Sequence, residues 1–152
     1  MAHTHDTLCL TIAAFLVRDN KVLLVYHPKY SKWLSIGGHI DPGEDTDQAL
    51  FREIEEEAGL TKEQIHIYGE KLDIPGENRS FMYTPHYIDK HKANDREHVA
   101  LVYFGEIRTG EPKLSEEHVE LRWFSKDELE ASTDVLPDIR WFALRALSEG
   151  EK

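Results

Sequence analysis

Three glutamates in one predicted helix, Glu53, Glu56 and Glu57, have the clearest potential for chemistry in this sequence. At about 100° per residue they fall within an arc of roughly 100°, whereas Glu55 points away toward solvent. Like charges on one face destabilise a helix unless a cation lies among them. Mg²⁺ and Mn²⁺ bind a few carboxylates together with substrate phosphates, so a divalent-metal site is predicted here. Taken alone, the run REIEEE is also typical of a solvated acidic face.

The helix that carries these glutamates is predicted to span Thr46 to Ala58. Asp45 or Thr46 can accept hydrogen bonds from the first-turn amides, and Gly59 is placed to end the helix. The apolar side chains fall on one stripe, which is predicted to face a core: Leu50, Phe51, Ile54 and Ala58.

The segment from Gly37 to Leu60, GGHIDPGEDTDQALFREIEEEAGL, resembles the signature of the Nudix hydrolases, G-x5-E-x7-R-E-U-x-E-E-x-G-U, in which U is aliphatic. The specified positions of this Nudix box all match: Gly38, Glu44, Arg52, Glu53, Ile54, Glu56, Glu57, Gly59 and Leu60. The resemblance implies a single Nudix domain over residues 1–152, with the box at 38–60. It also implies an α/β fold, the Nudix α/β/α sandwich around a central mixed β-sheet.

The activity that the resemblance implies is hydrolysis of the pyrophosphate bond in a nucleoside diphosphate linked to another group, with Mg²⁺ or Mn²⁺. Glu53, Glu56 and Glu57 would then bind the metal together with the Gly37 carbonyl. Glu53 is the preferred catalytic base, and Arg52 would orient a catalytic carboxylate. On the helix surface Arg52 can pair with Glu56 four residues on, or with Glu55 three residues on.

Four further residues belong to the predicted site. Gly38 has no side chain, so its backbone can approach a ligand closely. His39 follows it and could touch a substrate phosphate, or simply pack or be solvated. By resemblance, Glu44 would lie in an outer metal shell or bind a second metal. Glu117, in an acidic loop that also holds Glu116 and Glu120, is a further candidate metal ligand, and this loop is the second choice for the base; a solvated loop is the alternative.

Substrate-selecting residues are predicted outside the box, where Tyr83 and His86 fall in a region that would form the rim of the cleft. An aromatic or basic rim can stack a base or bind a distal phosphate. The same region contains Tyr87, His91, Arg96 and His98. Structural or solvated histidines are the alternative, and the spacing of these histidines matches no established zinc pattern.

Composition narrows the remaining possibilities. The 152 residues are enough for one domain with a core of its own, and a single cysteine, Cys9, excludes an internal disulfide. No apolar run is long enough to cross a membrane and the N-terminus lacks signal-peptide features, so a cytoplasmic protein is predicted. The net charge of −11 disfavours long nucleic acids and favours a small phosphorylated partner. The resemblance leaves homodimerisation open.

Outside the box, apolar alternation and turn residues predict strands, and one final amphipathic pattern predicts a helix that begins at Pro137. The predicted strands cover 7–17, 21–26, 64–74, 80–87, 98–107 and 119–124, with a loop or hairpin tip at 89–96, a helical turn at 126–130 and a helix at 137–147.

Two other functions stay open at this point. A non-catalytic Nudix domain could sense a nucleotide or metabolite, although such a sensor has no need of the complete carboxylate set. An isopentenyl-diphosphate-isomerase-like enzyme relies on an active-site cysteine, and Cys9 at the start of a predicted strand is the one cysteine available.

Overall fold

Strand β1 (Leu8–Arg18) joins the two halves of an eight-stranded mixed sheet in a computed structural model that describes residues 8–114 and 120–152. One edge of β1 pairs in parallel with β7 (Arg96–Ile107), and the other edge pairs antiparallel with β2 (Lys21–His27) and β4 (Ile36–His39). β2 extends the sheet to β3 (Lys32–Leu34) and β8 (Glu120–Ser125). β7 extends it to β5 (Ile65–Ile67) and β6 (Tyr87–Ala93).

Alternation along β1 divides the interior into two cores, because successive side chains in a strand point to opposite faces. Ile12, Ala14 and Leu16 pack on the face covered by α1 (Thr46–Ala58). Phe15 and Val17 pack on the other face, against α3 (Pro137–Gly150) and the short helix α2 (Lys126–Ala131). The predicted sandwich is therefore confirmed, with a mixed sheet between two helical layers.

The structure corrects the sequence predictions between residues 64 and 96. The strand predicted at 64–74 is limited to Ile65–Ile67, and the strand predicted at 80–87 is wrong. The segment 89–96, predicted as a loop or hairpin tip, does contain the tip of a hairpin, the turn at Asn94 and Asp95, but the rest of it is most of β6 and the start of β7. β6 was missed because its sequence, YIDKHKA, is polar at most positions. It can be polar because it lies at the edge of the sheet, where most of its residues stay exposed.

The helix predictions are confirmed, and α1 has defined caps at both ends. The Asp45 side chain accepts from the Gln48 backbone N–H, and the Gln48 side chain accepts from the Asp45 N–H, which forms a capping box. Gly59 ends the helix with φ of 67°, a left-handed conformation that suits glycine. No helix in the described ranges combines the length and the apolar character needed to cross a membrane.

The Asp45→Ala substitution is expected to lower the free energy of unfolding by about 1 kcal/mol, because the first-turn amides of α1 lose their side-chain acceptor. Denaturant unfolding of the variant and of Asp45→Asn measures this effect. Asn keeps an acceptor oxygen and should lie near wild type. Equal losses in both variants would show that the cap does not stabilise α1 through this hydrogen bond.

Candidate active site

Helix α1 presents its three glutamates beside the glycines of β4. Glu53 is 9 % and Glu57 is 4 % exposed, which is unusual for carboxylates, whereas the Glu56 side chain is 55 % exposed. Glu55 is exposed, as its position on the helix predicted. Glu53 and Glu57 are buried because the adjacent apolar stripe packs the helix against the sheet: Ala49, Leu50, Ile54 and Ala58.

The Arg52 guanidinium connects the acidic residues of this site. Nε and Nη2 donate to the two Glu44 carboxylate oxygens, at 2.6 and 2.9 Å, a bidentate geometry that suits arginine. Nη1 donates to Glu53 at 2.9 Å and to Glu56 at 3.1 Å. Nη2 also donates to the His39 carbonyl at 2.9 Å. Arg52 therefore fixes the loop before the helix to the helix itself, and of the two predicted partners it pairs with Glu56 and not with Glu55.

The two glycines of β4 lie beside these carboxylates, and a different close contact requires glycine at each of the two positions. The Gly37 N–H donates to Glu57 Oε1 at 3.2 Å. A side chain at position 37 would collide with the Ile12 carbonyl, so the close approach there is to β1. A side chain at position 38 would collide with the Glu53 carboxylate. Glycine at 38 thus leaves the space that the buried Glu53 occupies.

The carboxylates at the two ends of the Arg52 network have opposite pKa shifts. Hydrogen bonds from Arg52 and from the Asp41 backbone lower the pKa of Glu44 to about 2. Burial raises the pKa of Glu53 above its ordinary value, although the hydrogen bond from Arg52 opposes that rise. A glutamate with a raised pKa is a better proton acceptor near neutral pH than an exposed one.

These residues fit a divalent cation. The contacts of Arg52 set one positive charge against four carboxylates, those of Asp41, Glu44, Glu53 and Glu56. Glu53 and Glu57 are both buried on α1, so their two negative charges also repel each other. A metal ion beside them would reduce the excess negative charge. The all-oxygen donor set matches the preference of Mg²⁺ and Mn²⁺.

A cleft of about 770 Å³ lies on the α3 side of the same glycines. Gly37, Gly38 and His39 form part of its wall. Apolar side chains from the sheet and from α3 line another part: Ala13, Phe15, Val102, Ile139 and Phe142. Its size suits a small organic ligand, because pockets for such ligands range from about 300 to 1,000 Å³. The glycines of β4 therefore lie between the carboxylate cluster and this cleft.

The three side chains predicted to bind substrate, those of His39, Tyr83 and His86, lie in different parts of the structure. His39 is exposed and lines the cleft. Tyr83 packs against Phe51 and its backbone donates to Asp47, so it lies beside α1 and away from the cleft. The His86 ring stacks at 4.7 Å on Phe104 and accepts from the Phe104 N–H, and it does not line the cleft either.

Two predictions concern the acidic loop before β8. Glu116 and Glu117 lie outside the described residues. Glu120 is the first residue of β8, where it is exposed and pairs with Tyr26 of β2.

Sequence reasoning missed several residues of the cleft wall. Thr11 and Ala13 of β1 line it, and the period-2 alternation of that strand is a signal that could have found them. At the rim, Asn94 donates to the Tyr30 hydroxyl at 2.6 Å, which joins two loops far apart in sequence. No local pattern predicts a contact of this kind.

Comparisons with known proteins show the family of this chain. The family model described as NUDIX domain matches residues 7–146. The chain belongs to the Nudix family. An oxidized purine nucleoside triphosphate hydrolase from Danio rerio is 32 % identical over 139 residues, which cover 89 % of this chain and 78 % of that protein. The family assignment identifies the chain as a Nudix hydrolase, and the box residues are the ones that α1 and β4 bring together.

Two further relatives place the chain within the Nudix family. The bis(5'-nucleosyl)-tetraphosphatase [asymmetrical] of Mus musculus is 29 % identical over 98 residues, or 63 % of this chain and 57 % of that protein. The crystal structure of a NUDIX-family hydrolase from Clostridium perfringens superposes with a TM-score of 0.79 at 27 % identity, covering 91 % of this chain and 95 % of that one.

The pairing of Glu44 with Arg52 predicts a pH-dependent stability. Because the folded-state pKa of Glu44 is about 2 and its ordinary value is 4.5, the ion pair stabilises the fold above pH 4.5. This stabilisation is lost as the pH falls from 4.5 toward 2. In thermal melts with a chelator present, Glu44→Gln should have a lower melting temperature than wild type at neutral pH. This difference in melting temperature should shrink as the pH falls from 4.5 toward 2. The exposed control Glu55→Gln should show no such window, and a gap that stays constant with pH for Glu44→Gln would contradict the pairing.

Proposed function

We propose that this protein hydrolyses the pyrophosphate bond of a small nucleoside diphosphate derivative, with Mg²⁺ or Mn²⁺ bound by Glu53, Glu56 and Glu57. The observation that carries this proposal is the pair of buried carboxylates on α1 in contact with the glycine backbone that also borders the cleft. A nucleotide in that cleft would place its phosphates at the glycines. The Gly37 carbonyl is the proposed backbone ligand.

Each residue of the cluster has a distinct proposed role. The bound ion would neutralise charge that develops on the phosphate oxygens and on the leaving phosphate. Glu53 would accept a proton from the attacking water, because burial raises its pKa. Glu57 is held in place by the Gly37 N–H, and Arg52 keeps the Glu53 carboxylate oriented toward the metal site. Glu44 acts through Arg52, from an outer position.

The proposed substrate class rests on the cleft and on the relatives. The names of the zebrafish and mouse relatives specify nucleoside triphosphates and dinucleoside tetraphosphates, so a nucleotide is the shared feature. Phe15, Ile139 and Phe142 give the cleft an apolar surface that suits a nucleobase, and His39 adjoins the phosphate end. A cytoplasmic location, a small-molecule partner without long nucleic acid, and a homodimer stay predictions.

The proposal is tested by measuring the phosphate-containing products (phosphomonoesters, pyrophosphate or phosphate) released from nucleoside triphosphates, nucleotide sugars, ADP-ribose, dinucleoside polyphosphates and coenzyme A. Turnover should require Mg²⁺ or Mn²⁺ and stop with a chelator. The Glu53→Gln variant should lose about 10²- to 10⁴-fold in kcat through loss of the base, and Glu57→Gln should need more metal. Glu55→Gln is the matched control, since it removes a charge from the exposed side of the same helix. No turnover on any compound, with metal binding intact, would favour the sensor function.

The Arg52→Lys variant tests the positioning role of the guanidinium. Lysine keeps the charge but cannot contact Glu44, Glu53 and the His39 carbonyl together. We expect kcat to fall by about 10- to 100-fold at saturating metal, as for residues that orient metal ligands. A variant that loses metal affinity alone, with full kcat once metal is saturating, would contradict a role in orienting the base.

A further inference from the structure

We propose that Cys9, His39 and His98 form a second metal site, for an ion with the ligand preference of Zn²⁺, separate from the carboxylate cluster. Cys9 Sγ and one ring nitrogen of each histidine all lie within 4.8 Å of one another. Zinc–sulfur and zinc–nitrogen bonds of about 2.0 to 2.3 Å place tetrahedral donors less than about 4 Å apart. Small side-chain rotations therefore suffice to bring the three donors onto one ion.

The strand register explains how residues so far apart in sequence meet. Cys9 on β1 lies opposite His98 on β7, and residues that face each other across two strands share one face of the sheet. Thr11 lies two residues beyond Cys9, so it shares that face, and it lies opposite His39 on β4. Three neighbouring strands thus contribute one ligand each, and the positions are fixed by the central part of the sheet.

This site lies on the opposite face of the sheet from the carboxylates. On β4, Gly38 lies opposite Ile12, which packs in the α1 core, whereas His39 lies opposite Thr11, which lines the cleft on the α3 side. The donor sets also differ, because α1 offers carboxylate oxygens and this cluster offers a thiol and two imidazoles. Sulfur and nitrogen donors select zinc-like transition metals over Mg²⁺.

The surroundings of the three residues are compatible with a bound ion. His98 is 9 % exposed, and burial lowers its pKa, as do the nearby His39, His91 and Arg96, which favours the neutral ring that binds metals. Arg96 Nη1 donates to Cys9 Sγ at 3.9 Å, but this side chain is exposed and free to turn away from a cation. With three protein ligands a fourth coordination position remains, and since His39 and His98 line the cleft, that position would face it.

His91 lies next to this cluster, and its orientation is also defined. It faces His98 across β6 and β7, with the ring centroids 5.5 Å apart. Its Nδ1 lies 2.7 Å from Asp89 Oδ1, an arrangement in which a carboxylate orients a histidine and directs the other ring nitrogen outward. A ligand in the cleft would meet this polar group beside the proposed ion.

Cobalt(II) is the spectroscopic probe for the test, with tag-free, metal-stripped full-length protein. We expect one equivalent to bind with an intense thiolate-to-cobalt charge-transfer band, and Zn²⁺ but not Mg²⁺ to displace it. Cys9→Ser should abolish the band, and His39→Gln and His98→Gln should each weaken binding at least about tenfold. A band that persists in Cys9→Ser, or no band in the wild-type protein, would overturn the proposal.

Matched variants separate this site from other metal-binding groups. His66→Gln removes an exposed histidine from β5 of the same sheet, and it should leave the band unchanged. The double variant His3→Gln/His5→Gln removes the two histidines that precede Cys9 in sequence and should also bind normally. Glu57→Gln should keep the band even if it loses hydrolysis, so failure of the proposed activity and failure of this site give different results. Loss of the band in any of these three variants would place the ion elsewhere.

A second measurement needs no variant and so does not depend on the folding of any substituted protein. Cys9 is the single cysteine of the chain, so alkylation of the protein by iodoacetamide reports on that thiol alone. Stoichiometric Zn²⁺ should slow alkylation at least about tenfold, because a metal-bound sulfur is a poor nucleophile, whereas Mg²⁺ should not. Equal alkylation rates with and without Zn²⁺ would overturn the proposal.

Discussion

The fork of hydrogen bonds made by Arg52 is the interaction on which the candidate active site depends. Without a cation, Glu44, Glu53 and Glu56 would repel one another, and the burial of Glu53 would cost still more. The planar guanidinium can reach all three carboxylates and the His39 carbonyl because its donors lie in one rigid plane. This contact joins the helix, the preceding loop and the end of β4 into one unit. It nevertheless leaves negative charge uncompensated, which is the property a divalent-metal site needs.

The alternation of β1 decides which chemistry lies on which face of the sheet. Its α1 face is covered by an apolar core that holds the helix and hence the buried carboxylates at a fixed depth. Its other face is only partly covered by α3, which leaves the cleft beside the glycines. Because a one-residue shift in register exchanges the two faces, the β1–β4 pairing is a constraint on function as well as on stability. Glycine at positions 37 and 38 allows this pairing. A side chain at position 37 would collide with the Ile12 carbonyl, and a side chain at position 38 would collide with the Glu53 carboxylate.

Sequence reasoning predicted the parts of the site that lie within one helix. The helical period of 3.6 residues is a local property of the sequence. It predicts that Glu53 and Glu57 lie on one side of α1, that Arg52 can pair with Glu56, and where the helix begins and ends. The bidentate pairing with Glu44 depends on the turn at 41–44, whose geometry the composition alone does not specify. β6 was missed because an edge strand needs no apolar alternation. The proximity of His39 to Cys9 and His98 depends on pairings among three strands, which no local pattern reports.

His39 connects the two proposed sites, because its main chain lies at one of them and its side chain at the other. Its carbonyl accepts from Arg52, and its ring lies 5.3 Å from the ring of His98 on the opposite face. Oxygen donors on the α1 face and nitrogen and sulfur donors on the cleft face select different ions, so the two sites need not compete for one metal. An ion bound to the His39 ring would restrict the end of β4, and with it the carbonyl that Arg52 contacts. Coupling between the sites would then pass through a single residue, and it would be strongest for substrates that reach from the glycines to the histidines.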